Sequence, residues 1–109
     1  MSAYLFTFRA PDDYAPSAET FSTWAAWQVR LGVRLKDRGS VAFAAAALGA
    51  STADTTLGGY SLVRATSMDA AVDLARDCPI LSYGGAVEIG ELTSHDDQFD
   101  QWLAQHLSA

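Results

Sequence analysis

A chain of 109 residues, half of them hydrophobic and 18% charged, has the size of one domain and is too apolar for a disordered one. Its formal charge is −6, with no basic run, so neither a nucleic acid nor an anionic membrane is expected as a partner. A single cysteine excludes an internal disulfide, and no apolar run approaches the roughly 18 residues of a membrane span.

The opening, MSAYLFTFRAPDD, has no basic stretch ahead of its short apolar run. A signal peptide is therefore not expected, and a cytoplasmic protein is. Ala3 to Ala10 reads as a strand, with Tyr4, Phe6 and Phe8 on one face and Leu5, Thr7 and Arg9 on the other. Both faces carry apolar groups, so a strand covered on both sides is expected. Ser17 is the expected N-cap of a long helix, with Glu19 in its first turn. Phe21, Trp24, Gln28, Leu31 and Leu35 recur at helical steps, and Gly39 stands where a C-terminal stop is expected, after Lys36 and Arg38.

Ser40 to about Ala46 reads as a strand, on Val41 and Phe43 in alternation, although its alanines also favour helix. A small, polar loop follows from Gly49 to Thr56, and Gly58-Gly59 lead into the strand YSLVRA. Thr66 or Ser67 caps the next helix, with Met68, Ala71, Val72 and Ala75 as its buried stripe. Asp77-Cys78-Pro79 stops it, because proline cannot continue the hydrogen-bond ladder. Gly84-Gly85 precede the last strand, AVEIGEL. Ser94 then caps a terminal helix whose apolar side is Phe99, Trp102, Leu103 and Leu107.

Strand, helix, strand, strand, helix, strand is the order of two split βαβ halves. It predicts an α+β, ferredoxin-like βαββαβ fold with an extra C-terminal helix, one domain over residues 1–109. Two helices cover one face of such a sheet. The apolar groups of the first strand imply that the other face meets the terminal helix or a second copy, and a homodimer is expected.

The stretch from Leu57 to Leu92 resembles the YCII-related family. LGGYSLV is followed by S-M-D-A-A at a helix start, then A-R-D-C-P, then GGAVEI. The residues that carry the resemblance are Gly58, Gly59, Tyr60, Ser67, Asp69, Ala70, Ala71, Cys78, Pro79, Val87, Glu88 and Ile89. The resemblance implies the dimeric α+β barrel fold. Two family features differ here. GASTADTT stands in place of an Asp-Gly-Pro-Phe hairpin, and both histidines, His95 and His106, follow the last strand, so neither matches a first-half catalytic histidine.

The candidate cavity-lining residues are Trp24, Trp27, Gln28 and Arg30. The two indoles are three residues apart on one helix, where side chains meet, and Gln28 and Arg30 are polar neighbours able to orient a ligand. The tryptophans serve as well as core or dimer anchors. Arg64 and Glu88 are a candidate buried ion pair, since an arginine within a covered strand needs a carboxylate. Such a pair stabilises a dimer or forms an acid/base site.

Cys78 beside Asp77 lacks the basic neighbour a reactive thiol needs, and reads as a small buried hydrophobe. The paired glycines lead into strands rather than helices, so they read as turns and not as a phosphate cradle. His95, Asp96 and Asp97 lack a distant partner at metal-ligand spacing and read as a solvated helix start. No catalytic set, cofactor or metal is assigned. The expected function is that of a YCII-related homodimer with a small apolar cavity for an apolar ligand. The alternative is a small isomerase or monooxygenase-like enzyme acting on an apolar organic substrate.

Overall fold

The computed structural model describes residues 1–50, 54–93 and 97–107. It is an α+β structure: β1 (Ser2–Pro11), α1 (Ala18–Leu31), β2 (Leu35–Val41), β3 (Thr55–Ala65), α2 (Met68–Ala75), β4 (Ala86–Leu92) and α3 (Asp97–Leu107). The four strands form one antiparallel sheet in the order β2-β3-β1-β4, compatible with a ferredoxin-like fold.

β1 is one of the two inner strands of the sheet. Tyr4, Phe6 and Phe8 alternate with half-buried neighbours and point into the core. There they meet Val63 and Ala65 of β3, Trp27 and Leu31 of α1, and Ala71 and Ala75 of α2. Opposite each other across the ladder stand Tyr4 and Val63, then Phe6 and Ser61, then Phe8 and Gly59. Beyond Phe8 the register shifts, so that Arg9 faces Leu57 and Gly58 is the extra residue of a β-bulge.

α1 starts where its cap requires. The Ser17 hydroxyl accepts from the Thr20 N–H at 3.3 Å, and Thr20 Oγ1 accepts from the Ser17 N–H at 2.6 Å. The buried face of α1 is Thr20, Trp27 and Leu31, with Trp24 half-buried beside it. This is rotated from the expected stripe, and Phe21 is exposed. The helix also ends earlier than expected. Gly32 takes φ 56° and its N–H closes on the Gln28 carbonyl, so the chain turns there rather than at Gly39.

β2 consequently begins at Leu35 and ends at Val41, ahead of the expected strand. Gly39 lies inside it with φ 75°, and a Cβ there would collide with the Tyr60 carbonyl. Only glycine lets β2 come so near to β3. Ala42 to Ala50, including Phe43 at 94% and Leu48 at 98% exposure, form no helix or strand.

Ser67 is the N-cap of α2, accepting from the Ala70 N–H at 3.1 Å. After α2, a short 3₁₀ turn over Pro79–Tyr83 buries Pro79 and Ile80 before β4. The other sheet face presents Leu5 and Leu62 opposite each other, with Tyr60 and Leu92 nearby and more open. None of these outer-face side chains is in the buried core, and neither is any described residue of α3. Trp102 and Leu107 are exposed. No helix among the described residues is long and apolar enough to cross a membrane.

Candidate functional site: an aromatic cleft between α1 and the β2–β3 edge

A cleft of about 860 Å³ opens where α1, the start of the β1–α1 loop, β2 and the first half of β3 converge. Phe8 and Ala10 come from the end of β1, Tyr14 from the loop, Phe21, Trp24 and Gln28 from α1. β2 supplies Arg38 to Val41, and β3 supplies Leu57 to Ser61. Aromatic residues, Phe8, Tyr14, Phe21 and Trp24 among them, form part of the wall. Phe8 meets Trp24 edge-to-face with centroids 5.0 Å apart, a favoured geometry for ring pairs. Tyr14 leans on Tyr83 at 5.4 Å.

Polar groups are placed at two points. Trp24 Nε1 donates to the Tyr14 hydroxyl at 3.1 Å, tying the loop to the helix. Arg38 Nε donates to Gln28 Oε1 at 3.2 Å, tying β2 to the helix. The Arg38 carbonyl in turn accepts from the buried Ser61 hydroxyl at 2.7 Å. Asp12 is the one carboxylate among the described lining residues.

Two of the four candidate lining residues, Trp24 and Gln28, stand on this wall. Trp27 does not. It is 1% exposed in the core, and its Nε1 donates to the Leu74 carbonyl at 3.1 Å. Arg30 lies exposed in the last turn of α1, outside the lining, where a cation suits the helix dipole. Gly58 and Gly59 do line the cleft. Tyr14 and Arg38, which complete it, carry no local signal: they lie far apart in sequence and meet only in the folded chain.

Arg64 and Glu88 do not form an ion pair. Arg64 faces Ala3 and Glu88 faces Thr7 on opposite flanks of β1. That offset is about 13 Å along the strand, with a whole strand between them. Glu88 instead lies 3.9 Å from Arg9 Nε, and the pair is open to solvent on the glutamate side. Arg9 is held mainly by Thr55, through Nε to Oγ1 at 3.0 Å and Nη2 to the carbonyl at 2.9 Å.

Cys78 is buried against the core, and burial pushes its thiol up to about 12, with a backbone bond at Ile80 acting the other way. A thiol so protonated is a poor nucleophile. Burial also raises the Tyr4 phenol, with the Glu91 carboxylate adding to the shift. No group of three or more metal-ligating side chains occurs among the described residues. Ser94, His95 and Asp96, and the side chains of Asp97 and Phe99, lie outside the described residues. His106 stacks on Trp102 with centroids 4.1 Å apart.

No family model, curated protein or solved structure matches the chain. The YCII-related resemblance therefore rests on the residues that carry it.

Proposed function

We propose that this is a YCII-related cytoplasmic protein that binds a small, mainly apolar ligand in the cleft beside Trp24, and that two copies pair through the outer faces of their sheets. The observation that supports the ligand reading most is the cleft itself, about 860 Å³, more apolar than polar, with Phe8, Phe21 and Trp24 beside polar groups such as Gln28 and Arg38. Ligand sites of small proteins have this size and this mixture. The pairing is supported by the Leu5–Leu62 contact row on a sheet face that the buried core leaves out. Two-fold pairing would bring that row against its own copy, as a dimeric α+β barrel requires.

The ligand reading is tested by titrating apolar aromatic fragments into isotope-labelled protein. Saturable shifts are expected at Trp24, Gln28 and Gly59. Shifts confined to residues outside the cleft, or none at all, overturn it.

A further inference from the structure

We infer that the cleft selects an aromatic carboxylate: a flat ring system against Trp24, with its carboxylate on the free fork of Arg38. The inference rests on the ligand reading above and adds the chemical class.

The hydrogen bonds already formed determine what remains for a ligand. Trp24 Nε1 is a donor only, so Tyr14 serves it as acceptor. The phenolic proton of Tyr14 then has no acceptor among the described residues and remains for a ligand. Arg38 Nε is likewise a donor only, so the Gln28 atom facing it is the oxygen. The Gln28 amide N–H groups and the two terminal nitrogens of Arg38 have no acceptor among the described residues. These groups beside Trp24 and Arg38 offer donors and suit an occupant that carries an acceptor, with the Asp12 carboxylate the one charged acceptor among the described lining residues.

A carboxylate matches the planar fork of a guanidinium with two parallel hydrogen bonds. The charge sets an upper limit on the anion. Arg38 is the one arginine among the described lining residues, the protein's net charge is −6, and Asp12 is also on the cleft wall. A monoanion is accommodated there better than a doubly charged phosphate ester. The body of the ligand is set by Trp24, half-buried on the cleft wall and backed edge-to-face by the buried Phe8 ring. The bond to Gln28 holds the Arg38 head in place before a ligand arrives, which reduces the ordering cost of binding.

The test is calorimetric titration of the full chain with naphthoate, the neutral naphthamide and the cationic naphthylmethylamine. Naphthoate is expected to bind about tenfold or more tightly than the amide, the worth of one charge-assisted hydrogen-bond pair. Arg38→Gln should bring naphthoate down to the level of the amide and leave the amide unchanged, and Arg38→Lys should restore only part of the difference. The Arg38 side chain is exposed, and circular dichroism verifies that each variant is folded. Equal binding of the amide or the amine to the unaltered protein overturns the inference and leaves the ligand reading standing. So does an Arg38→Gln variant that still prefers naphthoate. Failure of all three compounds to bind overturns the ligand reading, and the inference with it.

Discussion

Trp24 and Trp27 are one helical turn apart, with ring centroids 5.8 Å from each other, yet their indole N–H groups point to different parts of the molecule. Trp24 donates to Tyr14 in the cleft, and Trp27 to the Leu74 carbonyl at the end of α2. A cleft ligand should therefore move the Trp24 indole signal in a nitrogen–proton spectrum and leave that of Trp27 nearly still. Equal movement of both would mean that the ligand reaches the core or that the helix shifts as a whole.

The same division predicts unequal stability effects. Trp27→Ala removes a fully buried ring and strands the Leu74 carbonyl, and should cost about 3–5 kcal/mol. Trp24→Ala removes a half-buried ring and should cost about 1–2 kcal/mol. Urea unfolding midpoints measure both, and a Trp24 variant as damaged as the Trp27 variant would contradict this arrangement.

Gly39 and Gly90 give a second contrast. A Cβ at Gly39 runs into the Tyr60 carbonyl on a backbone with φ 75°, whereas Gly90 has nothing within 4 Å of its Cβ position. Gly39→Ala should destabilise by more than 2 kcal/mol, to an order of magnitude, by parting β2 from β3. Gly90→Ala should be neutral or stabilise by a few tenths of a kcal/mol. Thermal melts of the two variants distinguish these outcomes.

Alkaline pH should weaken the fold through Cys78. Its thiol is held at about 12 in the folded chain, above the roughly 8.5 of a free thiol. The contribution is whole below pH of about 8.5 and is lost as pH rises toward 12, because the unfolded chain gives up its proton first. Tyr4 acts in the same direction at higher pH. Stability measured against pH should fall over that window, and Cys78→Ala should flatten the fall. Iodoacetamide should label Cys78 at pH 8 only as fast as the protein opens; rapid labelling of the native state would count against a buried thiol.

The proposed pairing predicts a dimer by sedimentation equilibrium at low micromolar concentration, with an interface of about 1,200 Å² or more. Leu62→Glu places a charge in the Leu5–Leu62 row and should give a monomer. A monomeric unaltered chain would refute the pairing.

The parts of the fold legible in the sequence are those coded locally. The alternation of Tyr4, Phe6 and Phe8 marks the central strand, and Ser17 and Ser67 mark the helix starts through bonds spanning three residues. β2 is not legible in this way. Leu35-Lys36-Asp37-Arg38 lacks hydrophobic alternation, because an outer strand with mostly exposed residues has little to bury. Val41 and Phe43 alternate further along but lead out of the sheet. The misplaced strand also hides the cleft, since Arg38 then reads as part of a helix end. Trp24 and Gln28 are legible from their helical spacing; Tyr14 and Arg38 are joined to them only by tertiary structure.

The irregularity of β2 bears on how copies of this chain can aggregate. Its pairing with β3 slips twice, between Leu35 and Asp37 and between Asp37 and Ser40, and Lys36, Asp37 and Arg38 stand exposed along it. A fibril grows by adding strand to strand along a straight, uncharged edge. This edge is bent and carries alternating charges, so it is a poor template for such growth. The apolar stretch from Phe43 to Leu48 thus follows directly on a strand that resists cross-β stacking, in the manner of gatekeeper residues beside an aggregation-prone segment.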